Sequence, residues 1–160
     1  MGRFLIWVIL VAFLLFIIPG CTENTNDLYQ KAEKLSNSGR YDDALVIYQK
    51  IIDVEPKNVD ALRGRAYCQS NLGKYEESNI AYSRIVEIDP NDYYSLIHMA
   101  ENFESLGKYS VAVIKYDAAD TACLHRWKEG KISKEQYDSF SKETKEKMWK
   151  AYDKNQAKSS

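Results

Sequence analysis

The chain has 160 residues, 45% hydrophobic and 28% charged, which allows one packed domain with an appendage and excludes disorder throughout. A net charge of −1 argues against a nucleic-acid partner. The balance is uneven: residues 21–124 carry 11 basic against 17 acidic side chains and residues 125–160 carry 10 against 6, so the body is acidic and the tail basic.

Arg3 is the only charge before Glu23, and Phe4 to Ile18 is an unbroken apolar run of 15 residues. As a helix it would reach ~22 Å, short of a ~30 Å hydrocarbon core, and its length suits the h-region of a signal peptide. No A-x-A cleavage pattern follows. Residues 1–20 are therefore expected to be a signal peptide or, with flanking residues, a single membrane anchor. Either way the rest of the chain lies on the extracytoplasmic side, because Arg3 stays inside and no basic residue follows until Lys31. The sequence Ile18-Pro19-Gly20-Cys21 resembles the lipobox of bacterial-type lipoproteins, with Pro19 where Ala or Ser is usual. That resemblance implies a lipid anchor at Cys21. Residues 21–26 are polar beyond the cysteine and read as a tether.

A period of 34 residues then governs the chain. It carries Gly39-Arg40-Tyr41 to Gly73-Lys74-Tyr75 and Gly107-Lys108-Tyr109, Leu28 to Leu62 and Leu96, Ala32 to Ala66 and Ala100, and Tyr48 to Tyr82 and Tyr116. Self-similarity at this period marks a solenoid of stacked two-helix units. The units are 24–57, 58–91 and 92–125, within a domain of 24–125. Asn24, Asn58 and Asp92 are placed to cap the first helices, expected over Thr25–Asn37, Val59–Leu72 and Tyr93–Leu106. The small Ala32, Ala66 and Ala100 permit close helix crossing. A glycine at positive φ ends each first helix. Second helices are expected over Asp42–Val54, Glu76–Ile88 and Ser110–Leu124. Glu55-Pro56 and Asp89-Pro90 close the first two. The third lacks the proline and is expected to run on.

Ser133-Lys134-Glu135-Gln136 is a capping-box sequence, flanked by Ile132 and Tyr137 as a hydrophobic staple. Tyr137, Phe140, Thr144, Met148, Ala151 and Tyr152 then recur at helical spacing opposite a Lys/Glu-rich face. The segment 133–155, helical over Lys134–Lys154, reads as the lid that a terminal solenoid unit requires, with Trp127 packed under it. A rival reading makes this basic helix a patch for anionic lipid headgroups.

These residues together resemble the tetratricopeptide repeat family over Asn24 to about Ala119. Departures are Ser78 where Ala is expected, and Leu35 and Gln69 where an aromatic is common. The resemblance implies an all-α fold, a right-handed α-solenoid of three helix-turn-helix repeats with a C-terminal capping helix. It also implies that the first helices line a concave groove for a partner's peptide or helix.

With the Leu/Ala faces assigned to the core, Tyr29, Glu33 and Ser36, then Arg63, Tyr67 and Ser70, then Ile97, Glu101 and Glu104 point into that groove, with Tyr94 and His98 beside the last set. The partner-binding candidates are Tyr29, Glu33, Arg63, Tyr67, Tyr94, Ile97, His98 and Glu101. Some family members clamp a C-terminal carboxylate with Lys and Asn. Here Tyr29, Glu33 and Gly64 occupy those places, and a basic or aromatic ligand suits Glu33, Glu101 and Glu104 better.

His98 and His125 are isolated and no catalytic or metal motif occurs. Cys68 and Cys123 read as small buried residues, with pairing left open. No enzyme activity, cofactor, metal, small-molecule substrate or nucleic acid is expected. Two functions remain: a membrane-tethered module binding a protein or peptide in its groove, or a structural subunit of an envelope or pilus assembly.

Overall fold

A computed structural model describes residues 24–159. The signal, anchor and lipidation readings on residues 1–20 and Cys21 lie outside that range. Seven helices and no strands occur among the described residues: α1 (Thr25–Asn37), α2 (Tyr41–Val54), α3 (Val59–Asn71), α4 (Tyr75–Ile88), α5 (Tyr93–Ser105), α6 (Tyr109–Lys128) and α7 (Lys134–Ser159). Each helix packs on the next in chain order, and α3 also touches α1, so the hairpins stack side by side as the period requires.

The starts of the first helices follow from their caps. Asn24 accepts the Asn26 N–H at 3.1 Å, Asn58 the Ala61 N–H at 2.9 Å and Asp92 the Ser95 N–H at 2.8 Å. Their ends follow from the glycines. At Gly73 φ is +73°, which turns the chain so that the Gly73 N–H reaches Ser70 O and the Lys74 N–H reaches Gln69 O. This is the double bond of a glycine-terminated helix, and Gly39 and Gly107 repeat it.

Two helices extend beyond the ranges drawn from the sequence, the first of them running on as its missing proline predicts. The sixth helix continues from Leu124 to Lys128, because no proline stops it and the next positive φ is at Gly130. The seventh continues past Lys154 to Ser159. Its start is as expected: the Gln136 N–H donates to Ser133 Oγ at 3.1 Å and the Ser133 N–H donates to Gln136 Oε1 at 2.8 Å. Trp127 stacks on Tyr137 with ring centroids 5.3 Å apart.

The core is the periodic set. Ala32, Ala66 and Ala100 are fully buried, as are Leu62, Ile51 and Ile85. Tyr48, Tyr82 and Tyr116 are buried at 1–2% exposure, and each ring fills the gap between the two helices of its unit and the next first helix. In the last unit α7 takes the place of that next helix. It buries Ser141, Thr144 and Ala151, with Phe140 and Met148 packed beside them. Tyr152, expected on this face, is exposed instead. At the spacing of α7 it falls off the stripe that Thr144, Met148 and Ala151 define.

Cys68 and Cys123 are both buried free thiols, not paired with each other. The Cys68 thiol donates to Ser36 Oγ at 3.4 Å and burial pushes its pKa up. Burial, followed by the nearby Asp120 carboxylate, pushes Cys123 up to about 11.

Candidate functional site: the groove of the first helices

The first helices α1, α3 and α5 share one side of the molecule, and three adjoining hollows run along it. The central one, of about 230 Å³, is walled by Tyr29 and Glu33 of α1, by Asp60, Arg63, Gly64 and Tyr67 of α3, and by His98 of α5. The tips of Tyr48 and Tyr82 form its floor. A second hollow of about 510 Å³ shares Arg63 and His98 and adds Tyr94, Arg126 and Ile132. A third of about 240 Å³ shares Tyr67, Tyr82 and His98 and adds Ser70, Asn71, Glu101 and Asn102.

Tyr29, Glu33, Arg63, Tyr67 and His98 thus come together around one opening. Tyr67 is 47% exposed on its rim, and its ring meets Tyr41 edge to face at 6.2 Å. Tyr94 lies in the neighbouring hollow, its ring 4.4 Å from Tyr93 and edge-on to Phe140 of α7. Ile97 does not reach the groove. It is 7% exposed and belongs to the core of the last unit, under α7. Ile97 points inward because α7 leans over it. Ser36 lines the central hollow but is largely buried, its hydroxyl accepting from the Cys68 thiol.

The charges are largely engaged. Arg63 donates to Asp92 Oδ2 at 2.8 Å and to Asp60 Oδ1 at 3.3 Å, so one guanidinium serves two carboxylates and ties α3 to the start of α5. Arg126 of α6 holds Asp89 and the Asn91 carbonyl at the turn before α5. Glu101 takes His98 Nδ1 at 2.9 Å on one oxygen and Lys147 Nζ at 2.8 Å on the other. Burial pushes this carboxyl up, but the bonds and charges of His98 and Lys147 outweigh it and hold the pKa at about 2. Glu104 accepts from Tyr116 OH at 2.7 Å and from Lys154 Nζ at 2.7 Å.

The acidic surface expected from Glu33, Glu101 and Glu104 therefore shrinks. The lysines of α7 neutralise its last two members, and Glu33 remains. Glu33 accepts the Tyr29 hydroxyl at 3.1 Å and has no cationic partner among the described residues. Burial first, then the charge and hydrogen bond of Glu33 and the charge of Asp60, push the Tyr29 phenol up to about 12. The mouth of the central hollow is thus electronegative.

Sequence reasoning missed the floor. Tyr48 and Tyr82 read as core, and their rings are core, but their hydroxyl ends face the hollow. The signal lay in the alignment of repeats: Gly64 stands where the other units have Gln30 and His98.

Among the described residues no group of three or more His, Cys, Asp or Glu could hold a metal ion, and no helix is long and apolar enough to cross a membrane.

Residues 37–100 match the family model of the tetratricopeptide repeat. No curated protein matches the sequence. Among solved structures, PcrH of Pseudomonas aeruginosa in complex with the chaperone binding region of PopD is 20% identical, with 87% of this chain and 99% of that one covered and a TM-score of 0.72. The Yersinia enterocolitica type III secretion translocator chaperone SycD is 17% identical, with 89% and 93% covered and a TM-score of 0.72. The Sgt2 TPR domain of Aspergillus fumigatus is 19% identical, with 82% and 83% covered and a TM-score of 0.62. At these identities the likeness is one of fold: the chain is an all-α solenoid of helical hairpins, and the match over residues 37–100 supports the tetratricopeptide repeat family.

Proposed function

We propose that this chain is a protein-interaction module, tethered to a membrane on its extracytoplasmic side, that holds a segment of a partner protein in the groove of its first helices. One observation carries the reading. Three hollows join into a channel along α1, α3 and α5, with the half-exposed Tyr67 ring at its centre. Aromatic rings beside a few polar groups make a recognition surface of low entropic cost. The complex of PcrH with a region of PopD, on a similar fold, supports the same mode. The apolar run Phe4–Ile18 and the context of Cys21 support the tether.

The test is recovery of partners from an envelope fraction by the wild-type chain and by the Tyr67→Ala plus Tyr94→Ala variant. Loss of a specific partner in the variant is expected; equal recovery would overturn the groove. Mass spectrometry of the mature N-terminus tests the anchor. A diacylated or triacylated Cys21 is expected there, and an intact Met1 with unmodified Cys21 would rule out the lipid tether.

A second reading, a structural subunit of an envelope or pilus assembly, is favoured by the outer side. Val46, Ile80 and Ile114 stand at the same position of α2, α4 and α6 and are 60%, 64% and 65% exposed. Such a row suits a permanent contact. Stoichiometric copurification that survives loss of the groove tyrosines but not Ile80→Ser would select it.

A further inference from the structure

Tyr48, Tyr82 and Tyr116 occupy one position of the repeat, yet their surroundings differ. The Tyr116 hydroxyl is satisfied by Glu104 at 2.7 Å. The positions equivalent to Glu104 are Ser36 and Ser70, whose short side chains bond elsewhere. Tyr48 and Tyr82, 2% and 1% exposed, are left with no hydrogen-bond partner for their hydroxyls among the described residues. Neither oxygen is among the fully enclosed unpartnered polar atoms of the described residues, so both open on the hollow, where a ligand can meet them.

The covering residue differs too. Sixteen positions after Tyr82 stands His98, which stacks on its ring at 5.5 Å. Sixteen positions after Tyr48 stands Gly64, which has no side chain to lay over the ring. A Cβ at Gly64 would lie 2.2 Å from Tyr48 Cζ and 2.6 Å from its hydroxyl oxygen. The tip of the Tyr48 ring thus occupies the space a side chain would fill, and Gly64 and Tyr48 line the central hollow together.

The charge at the mouth of this hollow selects its occupant. Among the described residues Glu33 meets no cation, and Asp60 shares Arg63 with Asp92. Farther along the groove Glu101 and Glu104 are already met by Lys147 and Lys154. The uncompensated negative charge is therefore confined to the Glu33 and Asp60 end.

Resting on the groove reading above, we propose that the partner segment anchors itself with one basic side chain, lysine or arginine, inserted into the central hollow beside Gly64 and Tyr48. Its apolar stem lies on the Tyr48 ring. Its cation donates to the Glu33 carboxylate and the Tyr48 hydroxyl oxygen. An acidic anchor meets two carboxylates there. A purely apolar anchor leaves the phenol and Glu33 unsatisfied and desolvated.

The test uses the full chain, immobilised, and a random dodecapeptide library. The enriched peptides are expected to share a Lys or Arg. Replacing that residue by norleucine is expected to weaken binding at least tenfold. Glu33→Gln is expected to weaken it about tenfold and Tyr48→Phe severalfold, while Glu129→Gln changes nothing. Enriched peptides that bind equally well with norleucine, or equally well to the Glu33→Gln chain, but lose affinity for Tyr67→Ala would overturn the basic anchor and leave the groove standing. Peptides indifferent to Tyr67→Ala, or a selection that enriches none, would overturn both.

Discussion

Lys147 of the last helix donates to Glu101 of α5 at 2.8 Å, across 46 residues of sequence, while His98 occupies the other carboxylate oxygen at 2.9 Å. The contact joins the lid to the inner wall of the third unit. Its consequence is a pH dependence. The Glu101 carboxyl is held at about 2 in the folded chain against an ordinary 4.5. A depressed folded-state pKa adds stability that is present above about 4.5 and is lost as pH falls toward 2. Glu101→Gln should therefore lower the melting temperature at pH 7, and the gap from wild type should close as pH falls from about 4.5 to 2.5. A gap that stays constant over that range would show that the pair does not titrate as described.

Ser78 is buried in α4 where the repeat pattern favours alanine. Its hydroxyl donates to the Ala66 carbonyl at 2.9 Å, accepts from Asn102 Nδ2 at 2.9 Å and lies 2.7 Å from Ser70 Oγ. Asn102 also reaches Asn79 Oδ1 at 3.0 Å, so one polar knot ties α3, α4 and α5. Ser78→Ala leaves one buried Asn102 N–H without its acceptor, although Asn79 and Ser70 still hold the amide, and should cost about 1–3 kcal/mol by denaturant unfolding. A neutral or stabilising result would mean that alanine packs better than the knot holds.

Much of this fold was legible in one sequence. The 34-residue period located the first five helices to within a residue, because a cap, a glycine turn and a proline are local signals. The run-on of α6 followed from its missing proline, but its end point, like that of α7, had no such signal. The groove was legible only in part. Tyr29, Glu33, Arg63 and Tyr67 meet as their spacing implies, whereas Ile97 is buried and Glu101 and Glu104 are neutralised by lysines 46 and 50 residues away. Spacing within a helix says which side chains share a face. It does not say how far the next helix leans over that face, and α7 leans over this one.

A side chain at either of two glycines should destabilise, for opposite physical reasons: backbone strain at Gly73, overlap at Gly64. At Gly73 a Cβ meets nothing within 4 Å, so the only cost of a side chain is its φ of +73°. Gly73→Val should destabilise by about 1–2 kcal/mol with an unchanged denaturant slope. An unaltered midpoint would place the helix end elsewhere.

Gly64 has helical φ, so alanine there gains about 1 kcal/mol of helix propensity. Against this stands the clash with Tyr48, whose ring is held by the core and sits edge-on to Tyr29 at 6.0 Å. Overpacking of this kind costs about 1–3 kcal/mol. Gly64→Ala should thus be net destabilising, and pairing it with Tyr48→Phe should recover little, because Cζ remains in contact. Net stabilisation by Gly64→Ala would show that the ring moves freely into the hollow.

Removal of α7, by a stop after Gly130, separates a lid from an ornament. Nearest-neighbour coupling governs stacked repeats, so each unit depends on what covers its open side. Without α7 the faces of Leu96, Ile97, Ala100, Ala112 and Tyr116 lose their cover, Tyr93 loses Phe140 at 4.6 Å, and Glu101 loses Lys147. The first two units keep their own core, which runs from Leu28 to Ile85. Amide hydrogen exchange should then accelerate throughout α5 and α6 while α1 to α3 stay protected, with α4 intermediate because its outer neighbour has loosened. Uniform protection in the shortened chain would make α7 an appendage to a self-sufficient third unit. Loss of protection everywhere would make the three units one cooperative block, in which the lid stabilises α1 as much as α6.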